Sequence, residues 1–191
     1  VSTSVRESYH HGDLRAALIQ GASELLESGE PFSLRAVARA AGVSATAPYR
    51  HFADRQALES ALAVQGFKDL HADLEAASTS TDLTSIGQAY VRFALKRPAV
   101  FQLMFGSQCN TEDPERVAAV ADLHNLVETR VREIFGGEDV SALALALWST
   151  AHGLAFLHLD GKLSAESDAE VSARVSAAFS SLLGMPRPRD S

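Results

Sequence analysis

The run Ser44-Ala-Thr-Ala-Pro-Tyr-Arg-His51 gathers small, hydroxyl-bearing and cationic side chains within a few positions. Ala45 allows close approach to a surface, Thr46 can hydrogen-bond or touch a thymine methyl, and Arg50 can reach a guanine edge or a phosphate. A helix start capped by Ser44 also favours a phosphate. A second set lies farther along. Trp148 and His152 stand four apart, on one face if the segment is helical. Phe67, Tyr90, Phe93, Phe101, Met104, Phe105 and Phe156 could join them around an apolar pocket, with Gln102, His124 and Asn125 as polar anchors. Plainer readings stand beside these. Trp148, His152 and the aromatic set also fit an ordinary core, Tyr49 and Phe52 could both be core, and Arg50 could be a solvated surface residue. His10, His11 and Arg6 form a short polar arm that suits either a groove contact or a loose terminus.

Other chemistry is poorly served. Ser149 and His152 at i, i+3 could touch on a helix. No strand-turn-helix elbow, oxyanion loop or orienting acid accompanies them, so no catalysis is expected. His71, His124, His152, His158 and Cys109 offer no pair at metal-ligand spacing, and no phosphate-cradling glycine loop is present. Neither a metal nor a cofactor is expected.

The chain that must position these residues has 191 residues, 46% hydrophobic and 21% charged, enough for one large domain or two small ones. One cysteine excludes a disulfide framework and fits a reducing, cytoplasmic location; residues 1–13 are polar, without a basic-then-apolar leader pattern. The net charge of −7 argues against unspecific coating of nucleic acid. It is uneven: residues 1–65 carry six Arg against seven acids, and residues 66–191 carry eleven bases against seventeen acids. A near-neutral end on an acidic body permits local anion binding there. Fourteen of the seventeen bases are Arg, and with frequent alanine this suggests a GC-rich bacterial genome.

The hydrophobic pattern is helical throughout, and the fold class is all-α with about nine helices. The first is expected over 13–28 and stops at Gly29. The second follows Ser33 as N-cap and ends at Gly42. A short third helix, 45–52, is anchored by Val43 and Phe52. Asp54 caps a fourth that runs to residue 76. After a polar connector, 78–82, helices are expected over 83–96 and 98–105. Then comes a loop over 106–112, a helix from Asp113-Pro114 to residue 135, and the uncharged segment 140–159. Ser167 with Glu170 opens the ninth, which ends near Leu183; residues 185–191 form a tail. Segment 140–159 is long enough to span a membrane. Its Ser149, Thr150, His152, Gly153 and His158 favour instead a buried helix of a soluble protein. Being apolar all round, it needs a partner on its second face, which a second subunit would supply.

The second and third helices have helix-turn-helix spacing. Three stretches, Tyr9-His-His-Gly-Asp-Leu-Arg-Ala-Ala-Leu18, Ser33-Leu-Arg-Ala-Val-Ala-Arg-Ala-Ala-Gly-Val-Ser44, and Ala47-Pro-Tyr-Arg-His-Phe52 with Arg55 and Leu58, closely resemble the N-terminal DNA-binding domain of TetR-family transcriptional regulators. The resemblance covers residues 5–65. Trp148-Ser-Thr-Ala-His152-Gly153 resembles the tryptophan/histidine-glycine signature of one regulatory-domain subfamily.

The resemblance implies an N-terminal helix-turn-helix domain over 1–53 and a C-terminal ligand-binding and dimerisation bundle over 54–184. It implies a homodimer formed by the eighth and ninth helices, and a small, mostly apolar effector among the fourth to seventh. Effector binding would swing the fourth helix and release a double-stranded DNA operator, in most members as derepression. Residue by residue, Ser33 would cap the second helix and touch phosphate. Thr46 and Arg50 would face bases, and Tyr49 and His51 would hold the backbone. Arg55 would keep the charge where the family usually has lysine. Pro48 and Ala47 depart from the common pattern and imply a site of their own. The energetics agree with a dimer: one good base contact is worth ~1–3 kcal/mol, whereas useful specificity needs ~4–10 kcal/mol. Two half-sites with approximate two-fold symmetry supply that.

Overall fold

The computed structural model describes residues 11–78, 82–106, 113–136 and 140–184, with side chains from Leu14 onward. Arg6, His10, Cys109 and the tail 185–191 lie outside the described residues, as do the His11 side chain and most of the loop 106–112. The described residues hold eight α-helices, one 3-10 turn and no strand. The chain divides into two compact units, Val1–Gln65 and Gly66–Ser191.

In the first unit, α1 (His11–Ser28) buries Leu18, Ile19, Ala22 and Leu25 along one face. It closes where Gly29 takes φ +71°, a conformation that favours glycine. α2 (Leu34–Ala40) starts at Ser33, whose hydroxyl accepts from the Ala36 amide at 3.1 Å. Its buried Leu34, Ala36, Val37 and Ala38 leave Arg35 and Arg39 outside. The chain then reverses through Gly42 at φ +68°.

The third helix differs from expectation. In place of an α-helix over 45–52 there is a 3-10 turn, Ala47–Arg50. Pro48 has no amide hydrogen to give the Ser44 carbonyl, so the Ala47 amide takes that carbonyl instead, at 2.9 Å. Phe52 and Pro48 are buried and anchor the turn, while Val43 is only half-buried. The Asp54 carboxylate then accepts from the Ala57 amide at 2.8 Å and opens α3 (Arg55–Ala77), which carries residues of both units.

The second unit is built around α4 (Leu83–Lys96), which packs most extensively on α7 (Ser141–Leu159) and α8 (Asp168–Leu183). Gly87 permits this approach: a Cβ there would stand 2.4 Å from Phe179 Cζ. α5 (Pro98–Gly106) contributes Val100, Phe101 and Met104 to the core. α6 (Pro114–Phe135) is capped by Asp113, which accepts from the Glu115 and Arg116 amides. Ser167 caps α8 through the Glu170 amide, the position read from the sequence.

α7 is less buried than expected. Its buried residues, Ala144, Leu147, Ala151, Ala155 and His158, form one stripe, and only 28% of its apolar window is inside this unit. Leu145 and Leu157 stand 53% and 43% exposed. Nineteen uncharged residues cannot all face one side of a helix, and the rest of this unit covers a single stripe.

Candidate functional site

The first candidate is the turn after α2. Ser44 Oγ lies 3.2 Å from Thr46 Oγ1, both exposed. Ala45 and Arg50 are exposed, and Tyr49 shows 53% of its surface, so Tyr49 is not core. An aromatic ring left in solvent on a rigid turn is available to a partner. His51 is placed differently: it is half-buried, and its Nε2 is enclosed without a hydrogen-bond partner. That nitrogen is therefore not presented to solvent. Arg55 is held in place: its guanidinium lies over the Phe32 ring at 5.4 Å, and Nε donates to Glu59 at 2.8 Å. Ser33, exposed, already uses its hydroxyl as a cap.

The second candidate is a cavity of about 360 Å³ inside the second unit. Five residues singled out from the sequence line it: Phe67, Met104, Phe105, Trp148 and His152. The others, Phe93, Phe101, Phe156, His124 and Tyr90, do not line it. Phe93 and Phe101 are buried in the packing, with the Phe101 ring tilted against Phe105 at 4.8 Å between centroids. His124 leans on Trp148 at 5.8 Å between centroids and lies 3.4 Å from Glu128. Tyr90 sits directly behind the wall. Its hydroxyl is 2.8 Å from His152 Nδ1 and accepts from Trp148 Nε1 at 3.3 Å. Burial pushes the Tyr90 phenol well above its ordinary range and holds the His152 imidazole below its own. Both are neutral at neutral pH.

The remaining wall includes Arg116, Val120, Leu145 and Ser149, which sequence reasoning missed. Arg116 is 5% exposed, and its Nη2 donates to the Met104 carbonyl at 2.7 Å. One signal could have found it: a cation in the first turn of a helix opposes the helix dipole. Gln102 and Asn125 are exposed and away from this cavity. A more polar hollow of about 420 Å³ shares Phe67 and is lined by Lys68, His71, Glu115 and Asp122, charges of both signs.

Among the described residues, one helical unit carries a short helix, a tight turn and an exposed arginine, and a second helical unit holds the cavity. Residues 83–179, just over half the chain, match the family model described as Tetracyclin repressor-like, C-terminal domain, and the chain belongs to this TetR family of transcriptional regulators. A protein of unknown function from Rhodococcus sp. RHA1 is 35% identical, with 95% of this chain and 100% of that one covered, at a TM-score of 0.78. The TetR family regulator PfmR from Thermus thermophilus shares the fold at 20% identity, covering 89% of this chain and 99% of that one, with a TM-score of 0.62. The HTH-type transcriptional regulator Rv1816 of Mycobacterium tuberculosis is 34% identical over 111 residues, 53% of this chain and 47% of that protein. The chain thus spans about half the length of the curated relatives it matches. The relatives that carry a function in their names are regulators, not enzymes.

Proposed function

We propose that the protein is a ligand-responsive repressor that binds a pseudo-palindromic operator as a homodimer and is released by a small, mostly apolar molecule. The observation that carries this reading is the solvent-facing turn with Thr46, Tyr49 and Arg50 behind a capped α2. Ser33, Ser44, Ala45, His51 and Arg55 complete the proposed DNA contacts. Residues 1–53 act as the DNA-binding domain and 54–184 as the regulatory domain. The open apolar face of α7, with Leu157 outward, supports pairing of α7 and α8 with their mates. By length and composition α7 is also the one described helix able to cross a membrane. Its buried His158 and its hydroxyl and histidine side chains favour an interface in the cytoplasm instead. Trp148 with His152-Gly153 supports a regulatory domain of the tryptophan/histidine-glycine subfamily. Phe67, Met104, Phe105, Trp148 and His152 are the proposed effector contacts, with Tyr90 behind them.

Fluorescence anisotropy on DNA from upstream of the protein's own gene, against random DNA at several salt concentrations, tests this. Tight binding to the first alone, one dimer per site, weakening as salt rises, is the expected result. Equal weak binding to both, with no preferred site in a genome-wide selection, would overturn the DNA-binding reading.

A further inference from the structure

The polar atoms at the cavity are chained in one direction. An indole N–H donates and cannot accept, so Trp148 Nε1, 3.3 Å from Tyr90 Oη, makes that oxygen an acceptor. The phenol has a single proton to give, and the nitrogen 2.8 Å away is His152 Nδ1. No other described acceptor is within reach of that proton, so the arrangement that satisfies every group has Nδ1 accepting and the proton of the neutral imidazole on Nε2. Nδ1 is turned toward Tyr90, which does not line the cavity, whereas His152 does. The Nε2–H edge is what His152 offers there, neither enclosed nor bonded to a described residue. Arg116 belongs to the same lining, with its guanidinium donating to the Met104 carbonyl, and apart from Ser149 the rest of the lining is apolar.

We propose that the cavity selects an apolar molecule bearing one carboxylate, whose oxygens accept from His152 Nε2–H and face the Arg116 guanidinium. This deepens, and rests on, the reading of the cavity as the effector site. A fixed donor and a cation favour an anionic acceptor, and hydrogen bonds that involve charged groups are the strong ones. An alcohol of the same length accepts from the donor but brings no negative charge to the cation. An amine brings a cation to a cation and a donor to a donor. Tyr90 and Trp148 are positioning residues: they fix which imidazole nitrogen carries the proton.

Trp148 is the single tryptophan of the chain and lines the cavity, so intrinsic fluorescence of this chain reads occupancy directly. The probes are decanoate, 1-decanol and decylamine. Decanoate is expected to bind at least about tenfold more tightly than decanol, with decylamine weakest. Unspecific attraction to a chain of net charge −7 would give the opposite order for the two ions. Equal affinity for decanoate and decanol overturns the carboxylate inference and leaves the cavity reading standing. No response to any probe overturns the cavity reading itself. Arg116→Met should erase the preference for decanoate. Because that variant also loses the bond to Met104, Tyr90→Phe provides an independent test. It keeps the ring, should weaken decanoate several-fold, and should shift the ¹⁵N signature of His152 from the Nε2–H tautomer to a mixture. A wild-type signature of the Nδ1–H tautomer, or an unchanged one in Tyr90→Phe, overturns the role given to His152.

Discussion

Arg50 and Tyr49 stand on a tight turn with their side chains in solvent, whereas Trp148 and His152 line a cavity and share one hydrogen-bond chain through Tyr90. The turn is anchored from beneath by Pro48 and Phe52, so its outward side chains can change without disturbing what holds it. The cavity residues have no such separation. His152 contacts Phe105 and Phe156, with ring centroids 4.6 Å and 4.8 Å away, besides its bond to Tyr90. A substitution there alters packing, polarity and ligand chemistry together. An exposed turn and a packed cavity wall thus place different demands on the residues that form them.

The sharpest way to break the contrast is Arg50→Ala. Operator affinity of the dimer should fall by about 2–6 kcal/mol, one lost contact of ~1–3 kcal/mol in each half-site. Thermal stability should change by less than about 0.5 kcal/mol. Anisotropy and a melting curve on the same sample check both, and a large loss of stability would show that the turn is not separable from its support.

Trp148→Ala should show the opposite pattern. A fully buried tryptophan would cost ~3–5 kcal/mol in denaturant unfolding. The half-buried ring here should cost less than that, while the Tyr90 hydroxyl loses its donor and ligand response disappears. A loss at the top of that range would make Trp148 a core residue first and a pocket residue second.

The smallest expected effect is on pH. His152 and His158 are held below the ordinary imidazole value of 6.5, His152 by burial and His158 by burial and then by Arg174. Just below that value the unfolded chain binds more protons than the folded one, so stability falls as pH drops through about 6.5. The melting midpoint should be lower at about pH 5.5 than at about pH 7.5. His158→Gln should flatten the difference, and a midpoint equal at the two pH values would show that the folded protein tolerates both imidazoles charged.

Much of the fold was legible because its signals are local. Ser33, Asp54, Asp82, Asp113 and Ser167 each cap the helix that follows, through their own side chains. The amphipathic stripe of α4 and the proline at the start of α6 are likewise properties of short windows. The 3-10 geometry of the turn was nearly legible too. Pro48 was visible as a departure, and what it changed was which amide reaches the Ser44 carbonyl.

The sequence by itself determined the helices, their caps and the polar turn, because hydrogen bonds within four residues and one missing amide suffice for these. Only the tertiary structure decided which aromatic side chains meet as core and which face a cavity. Phe101 and Phe105 share one face of α5 at i, i+4, yet one is fully buried and the other lines the cavity. It likewise brought Arg116 from the first turn of α6 into the lining that His152 shares, and set the Tyr90 hydroxyl against His152 Nδ1. Periodicity tells which face of a helix turns inward. What that face meets depends on the helices packed against it, and that is a property of the whole unit.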